Sequence, residues 1–306
     1  MTRYLKNPHI VSIEEISKEE ILYITELARK MKNTPSTHLL EGCILASCFF
    51  EPSTRTRLSF EAAMHKLGGR VIGFSDGATT SAQKGETLHD TMKVIGSYAD
   101  VIVIRHPLEG AARLAAESAG IPVINAGDGA NQHPTQTLVD LFTILEFQKE
   151  LDGLKIALAG DLKHARTIHS LAMACSHFGI RLYFISPPHL AMPDAICSEL
   201  RKRGVKFSFH STIGEVIDKI DVLYMTRLQK ERLGYFDLGQ TNAYESLSEE
   251  LLQKAKPTLK VLQPLPRLQE IPPSIDKTPY AHYFTQAANG VCVRQALLAL
   301  LLKKLP

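Results

Sequence analysis

The sequence predicts an α/β protein of two domains, each a mostly parallel sheet flanked by helices. Three observations predict it. Short apolar runs such as Cys43 to Phe50, Val101 to Arg105 and Lys155 to Ala159 read as strands buried on both faces. Stretches with helical spacing stand between them, as at Ile21, Ile24, Leu27 and Met31. The chain has 306 residues, long for a single hydrophobic core.

In chain order, Ser17 and Glu20 can form a capping box for a helix to Lys32. The strand Cys43 to Phe50 stops at Glu51-Pro52, and a helix follows that ends at Gly68-Gly69. Arg70 to Phe74 is a strand, and Ser75 to Gly85 is polar and aperiodic, which predicts a mobile loop. A helix over Thr87 to Tyr98, a strand over Val101 to Arg105, a helix over Ala111 to Ser118 and a strand over Ile121 to Asn125 follow. Ala126 to Gly129 reads as a turn, and His133-Pro134 opens a long helix to Lys149, with proline in its favoured first turn. The second set has strands at Lys155 to Ala159, Arg181 to Ser186, Val205 to Phe209, Val222 to Thr226 and Lys260 to Leu262. Its helices span Arg166 to Phe178, Pro193 to Arg203 and Glu215 to Lys219, and Gln286 to Lys303 closes the chain. The periodicity thus gives about nine strands.

Composition narrows the function. Hydrophobic residues at 44% and charged residues at 22% are ordinary for a globular chain. A net charge of +3 argues against bulk nucleic-acid binding but permits a local positive pocket. Five cysteines without a C-x-x-C pair imply neither a disulfide framework nor a zinc ribbon. Residues 1–18 lack the apolar core of a signal peptide, and no run of about 18 apolar residues occurs. The expectation is a cytoplasmic protein without a membrane segment.

Polar residues gather where strands are predicted to end: Ser53 to Thr56, Arg105 with His106, Asp128 to His133, Asp161 to Arg166, Arg227 with Gln229, and Pro264 to Arg267. Open α/β sheets bind ligands beyond those ends. Ser53-Thr54-Arg55-Thr56 falls at a helix N-terminus, where free amides and the helix dipole favour an anion. Three hydroxyls and a guanidinium make that turn a phosphate cradle; the plainer reading is an ordinary Ser/Thr cap beside a surface arginine. Five of the six clusters carry arginine, which points to a small polyanionic ligand set. Other motifs weigh less. There is no Walker loop. Gly73-Phe74-Ser75-Asp76-Gly77 matches G-x-S-x-G, but no helical period follows it, as a nucleophile elbow requires. Gly127-x-Gly129 lacks the third small residue of a dinucleotide fingerprint. His164 and His169 have no H-E-x-x-H context for a metal.

Together these stretches resemble the transcarbamoylase family. Ser53-Thr54-Arg55-Thr56-Arg57 resembles its S-T-R-T-R signature, and His133-Pro134-Thr135-Gln136 its H-P-T-Q signature. Pro264-Leu265-Pro266-Arg267 and Met225-Thr226-Arg227-Leu228-Gln229-Lys230-Glu231-Arg232 resemble the aspartate branch rather than the ornithine branch, whose motif is H-C-L-P. The resemblance runs from Pro8 to Leu302. One position departs from it: Gln263 stands where histidine is common, keeping a donor and an acceptor but unable to titrate.

The resemblance implies transfer of the carbamoyl group of carbamoyl phosphate to the α-amine of L-aspartate, with no metal or organic cofactor. It implies a carbamoyl-phosphate domain over 1–133 plus 288–306 and an aspartate domain over 134–287, bridged by the helix 134–149. Ser53, Thr54, Arg55, Thr56 and Arg105 are then expected at the phosphate, with Thr56, Arg105 and His133 at the carbonyl oxygen. Gln136 and the carbonyls of Leu265 and Pro266 are expected at the carbamoyl NH2. Arg166, Thr167, Arg227 and Gln229 are expected at the aspartate carboxylates. Ser81 and Lys84 resemble residues delivered by a neighbouring subunit of a homotrimer; a regulatory chain is left open. Two alternatives remain at this stage, a transcarbamoylase with another amine acceptor and a non-catalytic binder of phosphate metabolites.

Overall fold

The structure, a computed structural model, describes residues 5–34, 37–228 and 246–305. The chain divides into two compact units, residues 1–142 with 289–306, and residues 143–288.

In the first unit α1 (Lys18–Asn33) starts at the Ser17/Glu20 capping box, both halves of which form. β1 (Ile44–Phe49) leads into α2 (Thr54–Lys66), then β2 (Arg70–Phe74), α3 (Leu88–Gly96), β3 (Val101–His106), α4 (Ala111–Ala119), β4 (Val123–Asp128) and α5 (Pro134–Gln148). The division between the units falls inside α5 rather than at its start. The four strands form a parallel sheet in the order β2-β1-β3-β4. Ala46, Cys48, Ile102, Ile104 and Val123 pack on Met92 of α3 and on Ala112 and Ala115 of α4. Three of these are small, which lets the helices lie close to the sheet.

The second unit continues with β5 (Lys155–Ala159), α6 (Arg166–Cys175), β6 (Arg181–Ile185), α7 (Asp194–Lys202), β7 (Phe207–His210), β8 (Val222–Met225), α8 (Glu249–Leu252) and β9 (Lys260–Leu262). Its parallel sheet runs β7-β6-β5-β8-β9. One face packs Ala157, Tyr183, Leu223 and Val261 against Ile217, Ile271 and Tyr283. α9 (Tyr283–Leu301) ends the chain, and from Asn289 onward it belongs to the first unit.

Three local expectations need correcting. Ser75 to Gly85 is not structureless: it holds two 3-10 turns, Gly77–Thr79 and Ser81–Lys84. Asp76 caps the first and Thr80 the second, and Gly85 closes it at φ +90°. Short side-chain-to-backbone bonds of this kind leave no hydrophobic period to read. Ala126 to Asp128, expected as a turn, extends β4. Glu215 to Lys219 is replaced by a 3-10 turn, Ile213–Glu215, whose N-terminus is closed by a Thr212/Glu215 capping box. The short α8 and a 3-10 segment at Pro273–Lys277 carried no periodic signal. Among the described residues no helix is long and apolar enough to cross a membrane.

Candidate active site

In each sheet the strand order reverses once. The first sheet proceeds from β1 to β2 on one side and continues with β3 on the other, so a crevice opens beyond the carboxyl ends of β1 and β3. Phe49 pairs with Arg105 at that edge. The second sheet has the same reversal between β5 and β8, where Ala159 pairs with Met225. These two switch points gather most of the residues that the sequence singles out.

At the first, Glu51-Pro52 ends β1 and Ser53 begins α2. Ser53 is extended, at φ −158°, and its hydroxyl makes no capping hydrogen bond. An unspent hydroxyl, first-turn amides that lack helical acceptors by position, and the dipole end of a 13-residue helix meet at one place. Thr54 and Arg55 are exposed and Thr56 is buried. Arg57, two residues beyond Arg55, lies on another side of the helix and pairs with Glu61 at 3.1 Å. Glu61 also accepts from Ser47 Oγ at 3.1 Å, tying α2 to β1. Arg57 is thus a brace, and Arg55 is the guanidinium presented outward.

Arg105, at the end of β3, has its Nε 2.7 Å from Glu51 Oε1, and its Nη1 donates to the Ala126 carbonyl at 3.3 Å. The two anchors hold the guanidinium at the crevice. Burial holds the neighbouring His106 below the usual imidazole range, against the opposing pull of Glu51 and Asp128. Buried Asp128 organises the approach to His133: Oδ2 accepts from the Gly110 amide at 2.9 Å and from Asn131 at 3.0 Å, and Oδ1 from Asn125 at 2.8 Å and the Gln132 amide at 3.2 Å. His133 is buried, and its carbonyl receives the amides of Gln136 and Thr137, starting α5. Gln136 Nε2 donates to buried Asp140 at 2.8 Å. Ser81 and Lys84 are exposed on the second 3-10 turn.

At the second switch point, Gly160-Asp161 follows β5, and buried Arg166 and half-buried Thr167 open α6. That helix also begins without a side-chain cap, at Ala165. The two histidines nearby are structural in this unit. His164 Nδ1 lies 3.0 Å from Asp161 Oδ1, and His169 Nε2 lies 2.7 Å from the Leu162 carbonyl. Arg227, two residues beyond β8, donates through Nη1 to the Leu228 carbonyl at 3.1 Å. Gln229 lies outside the described residues.

After β9, buried Gln263 holds the Pro264-to-Leu268 loop. Its Oε1 accepts the Leu265 amide, while its Nε2 donates to the Pro266 carbonyl at 3.1 Å and to Glu270 Oε1 at 2.8 Å. Glu270 Oε2 takes the Leu268 amide at 3.0 Å. Leu265 sits at φ +59°, a conformation costly to a branched side chain unless its surroundings fix it. Arg267 is not presented to a ligand: it pairs with Asp276 and Tyr283 and lies over the Tyr283 and Phe284 rings. The arginine counted in that cluster is a brace, and Asp276 is held below the usual carboxylate range by it.

Glu51, Asp140 and Glu270 were not singled out from the sequence. Glu51 and Glu270 meet their partners Arg105 and Gln263 only through the fold, which local spacing does not report. Ser75, the serine of the G-x-S-x-G match, is followed by the Asp76-capped 3-10 turn and not by a helix, so no nucleophile elbow forms.

The fold is thus a two-unit α/β protein with a parallel sheet in each unit and an arginine beside each switch point. Family models cover nearly the whole chain: the aspartate/ornithine carbamoyltransferase carbamoyl-P binding domain matches residues 8–146, and the Asp/Orn binding domain of the same family matches residues 152–301. The chain belongs to the aspartate/ornithine carbamoyltransferase family. It is 55% identical, over 97% of its length and 98% of the relative's, to the aspartate carbamoyltransferase catalytic subunit of Chromobacterium violaceum. Among solved structures it resembles the catalytic subunit of M. jannaschii aspartate transcarbamoylase, with a TM-score of 0.88 and 47% identity over 96% of this chain and 98% of that one. It also resembles Trypanosoma cruzi aspartate transcarbamoylase in complex with carbamoyl phosphate and aspartate, with a TM-score of 0.90 and 39% identity over 97% of each chain.

Proposed function

We propose that the groups at the first switch point bind carbamoyl phosphate, that those at the second bind L-aspartate, and that the chain joins them into N-carbamoyl-L-aspartate, a step of pyrimidine biosynthesis. The reaction itself is that of the aspartate branch, which near-full-length relatives carry. The observation that carries the site assignment is the start of α2, a helix N-terminus whose serine caps nothing and whose arginine faces outward.

In this reading the neutral aspartate amine attacks the carbamoyl carbon. A carbon–nitrogen bond forms, the carbon–oxygen bond to phosphate breaks, and the proton shed by nitrogen leaves with the phosphate. Ser53, Thr54, Arg55, Thr56 and Arg105 take the phosphate oxygens. Thr56, Arg105 and His133 face the carbonyl oxygen as its charge develops. Gln136 reads the carbamoyl NH2 together with the carbonyls of Leu265 and Pro266. Arg166, Thr167, Arg227 and Gln229 take the two aspartate carboxylates, for which guanidinium forks are suited. Two cationic side chains in the second unit favour a dicarboxylate acceptor over a cationic one.

Incubating the chain with both substrates should release phosphate and form carbamoyl-aspartate in a colorimetric assay. Release of phosphate with another amine but not with aspartate would overturn the acceptor assignment, and no transfer at all would leave a binding protein.

The homotrimer with shared sites is part of the same proposal, as is a reducing cytoplasmic setting, which suits five free cysteines. Supporting the first are the outward placement of Ser81 and Lys84 and the exposure of Leu58, Ile72, Val94 and Tyr98 in the same unit. If each site takes Arg55 from one chain and Lys84 from the next, inactive Arg55→Ala and Lys84→Ala trimers should regain about a quarter of wild-type activity after random exchange. No recovery after confirmed exchange would place Lys84 in its own chain's site.

A further inference from the structure

Every residue from Gln132 to Leu145 is buried except Gln136. Gln136 is half-buried, the one residue ahead of Glu146 in α5 that is not enclosed. Its amide is not symmetric in its surroundings. The NH2 end donates to Asp140 at 2.8 Å, and a carboxylate can only accept, so the NH2 end must be the one turned inward. The carbonyl end of Gln136 is therefore the one left toward the ligand. An acceptor there fits a carbamoyl NH2, which has only donors to offer.

Asp140 is fully buried, and a buried carboxylate needs a counter-charge. Arg294 of α9 supplies it: the guanidinium is buried, and its charge and that of Asp140 stabilise each other. Arg294 is itself fixed. Its guanidinium lies 5.0 Å from the centre of the Phe60 ring, on the helix whose first turn is the anion cradle. Gly290 lets the guanidinium lie against the turn below, since a Cβ there would sit 2.2 Å from Nη1.

We propose that Asp140, held by Arg294, is a positioning residue that fixes which end of the Gln136 amide meets the substrate, and so sets the preference for a carbamoyl over an acetyl phosphate. The inference rests on the reading of Gln136 as the group that meets the carbamoyl NH2. Acetyl phosphate is the natural probe, because it puts a methyl group where that NH2 would be and leaves the phosphate unchanged. A site built to pair a donor penalises the analogue that lacks it.

The test compares Kd for carbamoyl phosphate with Ki for acetyl phosphate as a competitive inhibitor, in wild type and variants. Asp140→Asn offers Gln136 both a donor and an acceptor, so the amide can turn over. The Kd for carbamoyl phosphate should rise about tenfold while the Ki for acetyl phosphate changes little, the loss of roughly one neutral hydrogen bond. Equal weakening of both ligands would show a merely structural role and overturn the proposal. Gln136→Ala separates the two readings: if it retains wild-type discrimination, the role given to Gln136 itself is wrong. If Gln136→Ala loses discrimination but folded Asp140→Asn keeps it, only the positioning role fails. Should Asp140→Asn not fold, Arg294 carries the test. Arg294→Met should lose the discrimination and Arg294→Lys, which keeps the charge, should restore it; identical behaviour of the two would overturn the proposal.

Discussion

The two switch points are the same construction, to which the proposed function gives different anions. In both, a central strand hands over to a helix that starts without a side-chain cap, and a second strand beside it ends in an arginine or reaches one within two residues. The difference lies in burial. The helix at the first point carries its arginine outward, with Ser53 and Thr56 beside it, so amides, hydroxyls and a guanidinium can surround a tetrahedral dianion from several sides. The helix at the second buries Arg166, which suits a planar carboxylate met by a planar fork. One topology thus places an exposed arginine with hydroxyls beside it at one switch point and a buried arginine at the other.

The sharpest way to break this comparison is Arg55→Ala. Removing one positioned electrostatic donor should lower kcat/KM on the order of 10²–10³-fold in a folded variant. A value within threefold of wild type would remove the cradle from the account. Arg166→Ala should act on the other ligand, raising KM for aspartate about ten- to a hundredfold and leaving that for carbamoyl phosphate nearly unchanged, as the loss of a charged hydrogen bond implies. Equal changes in both constants would erase the division of labour.

Smaller effects test the supports. Gln263→Ala strips Glu270 and the Leu265 amide of a buried partner and should cost about 1–3 kcal/mol in urea unfolding. Ser53→Ala and Thr87→Ala form a matched pair. Thr87 caps α3, accepting from the Asp90 amide at 3.1 Å, so its loss should cost about 1 kcal/mol. Ser53 caps nothing, so its loss should leave the melting temperature alone and weaken carbamoyl phosphate binding; a comparable stability loss would return Ser53 to the ordinary cap reading.

The smallest effect is on pH. Burial lowers His106 in the first unit and His282 in the second below 6.5. Both bind protons less readily in the folded chain than in the unfolded one. Their contribution is complete above 6.5 and is lost as pH falls through the lower folded values. The melting temperature should therefore drop on acidification from about pH 7.5 to 5.5, and His106→Gln, which keeps an acceptor for the Leu108 amide, should lessen the drop. A steeper drop in that variant would contradict the sign.

Much of this was legible beforehand because buried parallel strands are written as apolar runs, and Gly, Pro and capping boxes mark where they stop. Ser17 with Glu20, the strand before Ser53 and the proline opening α5 are signals of that kind. Strand order is not written locally. That Arg105 pairs beside the cradle strand, or Arg227 beyond the strand that pairs with β5, depends on crossovers that no window of the sequence contains. The same holds for what an arginine does. Arg57 and Arg267 look in a motif like ligand-binding arginines, yet they pair with Glu61 and Asp276, because a helical turn or a distant carboxylate faces them.

The return of α9 to the first unit has a consequence for how the molecule is made. The second unit is contiguous, over residues 143–288, and lies wholly ahead of Asn289 in the order of synthesis. A nascent chain that has reached that point already contains the cradle, Gln136 and Asp140, but not the guanidinium that faces Asp140. The unit begun first therefore stays incomplete until the residues beyond Asn289 have emerged, and only then can Arg294 support Asp140.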